Sequence, residues 1–237
     1  GVKSSDIYGE SFNVHFSVIS RVTGILLTIF SLALFTPAMV ALIYNESTVD
    51  AFFTASLITL ASGLALAIPK RKVRDLRSRD GFLITVFFYA GLGLFGALPF
   101  LMIDSLNILW TDAAFESYSA ITTTGATILT GLDELPRSLL FYRHLLQWLG
   151  GMGIIVLAVA ILPMLGIGGL QLYRAEAPGA VKDTKLTPRI TETAKALWYI
   201  YLGLTIACAT AYHMAGMGLF DAICHSFSTV AIGGVST

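Results

Sequence analysis

Five stretches of this chain contain no Asp, Glu, Lys or Arg and are long enough to cross a bilayer: residues 22–44, 51–69, 81–103, 144–173 and 196–220. A helix needs about 20 residues to span the hydrocarbon core. Lipid offers no water to the backbone, so each stretch must satisfy its own N–H and C=O groups and is predicted to be helical. The composition agrees, with 55% of residues hydrophobic and 13% charged. A soluble domain carries about 25% charged residues. So little charge cannot cover a water-facing surface, and the expected fold class is an all-α integral membrane protein. The fourth stretch exceeds the required length, and Gly150, Gly151, Gly153 and Pro163 are the positions where it can break or tilt.

Charge between the stretches sets orientation. The connection "KRKVRDLRSRD" (residues 70–80) holds six basic residues, and residues 174–195 hold Arg174, Lys182, Lys185, Arg189 and Lys195. The alternating connections carry Glu46 and Asp50, then Asp104, Asp112, Glu116, Asp133 and Glu134; over residues 104–137 the basic residue is Arg137. Basic loops stay on the cytoplasmic side, so the N-terminus is expected inside. The opening residues show no short apolar core with a cleavage site, so no removable signal peptide is read there. The net charge of zero gives no reason to expect a nucleic-acid partner. Membrane lipids are the expected surroundings, and contact of the basic loops with anionic headgroups is a by-product of topology.

The segment between the third and fourth stretches starts and ends outside, yet residues 117–132 are uncharged and include "SYSAITTTGATILTG". Sixteen residues cannot cross and return as two helices. A helix from about Trp110 to Ile121 would be roughly 18 Å long, about half the bilayer, and the chain could return extended. Non-helical backbone at that depth is tolerated where it is buried in protein or lines a water-filled cavity. Carbonyl oxygens of an extended stretch can replace a cation's hydration shell. Glycine supplies left-handed backbone angles at little cost, Thr hydroxyls add acceptors, and a helix C-terminus adds about half a negative charge. Taken alone, "TTTG" reads as an exposed loop.

A repeat alters that reading. "FDAICHSFSTVAIGGVST" (residues 220–237) aligns on the first segment at an offset of 109, which places Gly234 on Gly125 (234 − 125). Asp221 then falls on Asp112, Ala222 on Ala113, Ser226 on Ser117 and Ser228 on Ser119. Each copy follows an apolar stretch and starts outside, so the repeat is parallel.

The motifs "DAAFESYSAITTTGAT", "HLLQWLGGMGIIVLAVAILPMLG", "QLYRAEAPG" and "FDAICHSFSTVAIGGVST" resemble the Trk/Ktr/HKT superfamily of potassium and sodium translocating proteins, most closely its bacterial TrkH-type members. The two stretches before residue 81 resemble the extra N-terminal helix pair of that branch. The resemblance implies four helix–pore-loop–helix units around one ion pore, each with one filter glycine. It divides the chain into an N-terminal pair with its basic loop (1–80), a first unit (81–173), a cytoplasmic linker (174–195) and a second unit (196–237), and implies a first half of a longer protein. Carried over residue by residue, the first filter comprises Thr122, Thr123, Thr124, Gly125 and Ala126; the second comprises Ala231, Ile232, Gly233, Gly234 and Val235. The expected function is potassium-selective translocation for K+ uptake across the bacterial inner membrane. K+ is then the transported ion, with no cofactor and no enzymatic activity. The family also implies a homodimer and a cytosolic, nucleotide-binding, TrkA-like regulatory subunit.

Other chemistry is less well supported by the residues. Asp112, Glu116 and Asp221 are read as helix-start charges that favour the positive dipole end and attract cations to the outer mouth, not as catalytic acids. His213 and His225 are read as interfacial histidines, and Cys208 and Cys224 as small hydrophobes, so no transition-metal site is expected. "GGMG" (residues 150–153) lacks the rest of a phosphate-loop pattern and is read as a close-packing site. Two competing classes are a secondary transporter coupling K+ or Na+ to H+ or Na+, which also uses broken helices, and an intramembrane hydrolase.

Overall fold

The computed structural model describes residues 16–68, 78–161 and 186–237. All regular structure in them is helical: α1 (Phe16–Ile43), α2 (Val49–Ala67), α3 (Ser78–Gly96), the short α4 (Leu98–Met102), α5 (Trp110–Ile121), α6 (Arg137–Ile161), α7 (Leu186–Met214) and α8 (Leu219–Ala231). Four segments are apolar and long enough to cross a membrane: Ile19–Ile43, Val49–Ala67, Thr85–Met102 and Glu192–Met214. They match four of the five uncharged stretches. The fifth lies on α6 as far as residue 161; beyond that it falls outside the described residues, as does most of each basic connection.

The N-terminal pair packs closely because small residues face each other. A Cβ on Gly24 would lie 2.7 Å from the Gly63 carbonyl oxygen, and one on Gly63 would lie 2.7 Å from the Thr28 hydroxyl. Pro37 inside α1 lacks the N–H that would bond the carbonyl four residues back. The Thr36 hydroxyl donates to that Ala33 carbonyl instead (2.7 Å), so the loss is repaired locally.

The pair is joined to the remainder at the α1–α2 turn. Glu46, in the α1–α2 turn, accepts the first N–H groups of α6, from Arg137 (2.7 Å) and Ser138 (3.1 Å). A carboxylate there satisfies orphan donors and meets the positive helix end. The Thr48 and Ser138 hydroxyls pair at 2.7 Å, and the Arg137 guanidinium lies over the Tyr44 ring at 4.5 Å. Below, the core gathers Phe30, Leu34, Phe52, Phe100, Ile121 and Tyr142. Tyr142 packs edge-on to Phe52 and donates its hydroxyl to the Gly96 carbonyl (2.7 Å), where α3 breaks before α4.

Candidate functional site

The half-length helix expected at 110–121 is α5, with those bounds. It leans on α3, where Tyr118 occupies the space a Cβ on Gly93 would need and donates its hydroxyl to the Ala90 carbonyl (2.9 Å). Helix α8 starts 109 residues later, at Leu219.

The two helices end alike. Thr123 takes φ +56° and donates its N–H to the Ala120 carbonyl (3.0 Å), while the Thr124 N–H reaches the Ser119 carbonyl (2.9 Å). At the same offset Ile232 takes φ +57° and bonds Thr229 (3.1 Å), while Gly233 bonds Ser228 (2.8 Å). This bond pair closes a helix through a left-handed residue, a place glycine usually fills. Here β-branched residues hold it, at a cost of about 1–2 kcal/mol each. Such strain persists where the surrounding structure over-determines it, often at functional sites. Two residues on, Gly125 (φ +76°) and Gly234 (φ +73°) are left-handed again.

Among the described residues no N–H or O–H donates to the carbonyls of residues 122–125, which follow directly on the negative end of α5. The Thr122 hydroxyl donates to the Tyr118 carbonyl (2.7 Å) and lies 2.8 Å from that of Thr124. Its single hydrogen being used, Thr124 is the donor of that pair. Two other candidate carbonyls are engaged: that of Ala126 by the Ser119 hydroxyl (2.6 Å) and that of Gly233 by the Gln147 amide (2.9 Å). The loops also touch each other, since a Cβ on Gly125 would overlap the Gly233 carbonyl oxygen.

Of the three expected mouth charges, Asp112 and Asp221 lie in the first turns of α5 and α8, and Asp112 accepts the Leu109 N–H (3.3 Å). Glu116 needs correction. It is 2% exposed and paired with Arg143, itself 1% exposed, at 3.4 Å. Its other oxygen accepts from the Thr127 hydroxyl and the Ile128 N–H, both at 2.6 Å. Glu116 is therefore a tie that holds the chain leaving the first loop against α5, not an open charge. Its buried ion is tolerated because it is both paired and hydrogen-bonded.

Helix α6 supports both loops from one face, through Arg143, Gln147, Gly150 and Gly151, spaced i, i+4, i+7 and i+8. A Cβ on Gly150 would overlap the Ile121 carbonyl, and one on Gly151 would lie 3.1 Å from the Ala231 Cα. The close-packing reading of "GGMG" holds for these two glycines: each seats the end of one half-length helix. His225 pairs with Thr237 (3.0 Å), and His213 with the Met217 carbonyl (3.1 Å).

Residues 48–237 match the family model described as "TrkH: Cation transport protein". The chain belongs to the TrkH family. It is 62% identical over 225 residues to the Trk system potassium uptake protein TrkH of Vibrio parahaemolyticus serotype O3:K6, covering 94% of this chain and 46% of that relative. It is 58% identical to the protein of the same name from Escherichia coli strain K12, covering 94% and 47%. The crystal structure of the potassium transporter TrkH from Vibrio parahaemolyticus superposes with a TM-score of 0.82 at 56% identity, over 94% of this chain and 44% of that one. This TrkH-family chain thus spans about half the length of the curated relatives it matches.

The contacts of Arg143 and Gln147 with the two loops of this TrkH-family chain were not legible from the sequence alone. The signal was there: two polar side chains one turn apart at the edge of an apolar stretch, where buried polar groups are costly and tend to be functional.

Proposed function

We propose that this chain supplies the first two filter segments of a four-segment, potassium-selective pore, through which the whole protein takes up K+ across a bacterial inner membrane. The observation carrying this reading is the recurrence, 109 residues apart, of a left-handed helix end followed by a left-handed glycine. Backbone carbonyls around Gly125 and Gly234 stand in for water around a dehydrated cation. No bond is made or broken, so the activity is translocation. The potassium-uptake names of the relatives support K+ as the ion.

Asp112 and Asp221, near the outer ends of the two half-length helices, raise the local cation concentration. The segment divisions at 80/81, 173/174 and 195/196 belong to the same reading. The basic connections at 70–80 and 174–195 face the cytoplasm with the N-terminus. They lie on the side where a TrkA-like regulatory subunit docks, and the complete transporter is a homodimer.

Rubidium uptake into liposomes containing the full-length protein tests this reading. Block by external K+ but not Na+ is expected; equal block by both overturns potassium selectivity. A fixed ratio of K+ to co-transported H+ or Na+ would make the protein a coupled transporter instead.

A further inference from the structure

Gln147 is fully buried on α6, and its amide spans the second loop. Nε2 donates to the Gly233 carbonyl at 2.9 Å, and Oε1 accepts the Val235 N–H at 3.4 Å. Residues 233 and 235 are thus anchored to α6, and the intervening Gly234 is left exposed. The side chain fits against the loop so closely that a Cβ on Gly233 would overlap it. The anchored Gly233 oxygen is also the atom against which Gly125 of the first loop rests. One amide therefore fixes a backbone atom shared by both loops.

We propose that Gln147 is a positioning residue for ion selectivity, setting the second loop directly and the first through the Gly233 carbonyl. The proposal rests on reading the loops as ion filters. Whether a filter discriminates by cavity size or by the number and field of its carbonyls, the position of those carbonyls decides the outcome. Holding residues 233 and 235 together takes a side chain with a donor and an acceptor at this spacing. An ionised glutamate offers no donor to the Gly233 oxygen, asparagine is one methylene short, and leucine fills a similar volume with neither group.

The test is rubidium uptake by the full-length protein in liposomes, with K+ or Na+ as competitor, for wild type, Gly125→Ser and Gln147→Leu. Gln147→Leu is expected to retain uptake while its K+ over Na+ preference falls about tenfold, the scale of one or two lost hydrogen bonds. Gly125→Ser is expected to lose preference as well. If Gln147→Leu keeps the wild-type ratio while Gly125→Ser loses it, the loops are filters and Gln147 only fills space. If Gly125→Ser also keeps the ratio, the filter reading fails and takes the proposal with it. Should Gln147→Leu not reach the membrane, Gln147→Met, unbranched and of similar length, serves in the same comparison. A purely packing role would lower its melting temperature and leave its ion ratio unchanged.

Discussion

The α-carbon of Gly125 lies against the carbonyl oxygen of Gly233, so closely that no side chain fits between them. Glycine is therefore required at residue 125 twice over, for its left-handed φ and for the backbone of the neighbouring loop. Gly125→Ala should cost about 1–2 kcal/mol in conformation alone and displace the second loop as well. The K+ over Na+ ratio in competitive flux should collapse even for this one-carbon change, and an unchanged ratio would contradict the filter reading of the first loop.

Breaking the Glu116–Arg143 pair should cost much more than removing it. Either Glu116→Gln or Arg143→Met leaves a buried group without its partner, at about 3–5 kcal/mol. The double variant should recover a large part of that loss. Thermal unfolding of the four proteins in detergent gives the double-mutant cycle. Simple additivity would show that the two side chains act independently.

The seat of α5 on α6 predicts a contrast between two glycines. Gly150→Ala drives a methyl into the Ile121 carbonyl, an overpacking worth about 1–3 kcal/mol at the point where the first loop begins. Gly131 has φ +65°, but a methyl there would meet nothing within 4 Å, so Gly131→Ala should cost only about 1–2 kcal/mol for its backbone angle and leave the first loop in place. Melting temperatures and rubidium uptake should both fall further for Gly150→Ala.

Glu46 joins the N-terminal pair to α6 by capping that helix. Glu46→Ala should lower stability by about 1 kcal/mol, the ordinary worth of a helix cap. It should leave the ion ratio intact, because the side chain is not part of either loop. A changed ratio in competitive flux would mean that the pair does more than hold α6 in place.

Much of the fold was legible because lipid reduces the options: long uncharged stretches become helices, and four of them do so, although the stretch 196–220 runs past its helix end at Met214 into α8. The half-length helix was legible because residues 117–132 were too short for two crossings. The repeat offset located the second loop, since sequence identity at Gly125/Gly234 carries over to backbone angle. What stayed hidden were the partners. Glu116 read as a mouth charge because it shares an acidic segment with Asp112, and only the chain fold brings Arg143 beside it. Gln147 meets Gly233 across 86 residues, a distance that no periodicity encodes. Likewise, the cap that Glu46 gives α6 joins residues 91 apart.

The most direct measurement is rubidium anomalous scattering from crystals of the full-length protein grown in Rb+. A peak is expected on the pore axis, within coordination distance of the backbone carbonyls around Gly125 and Gly234. Ordered rubidium elsewhere in the membrane region, with neither loop near it, would contradict the assignment of these loops as ion filters.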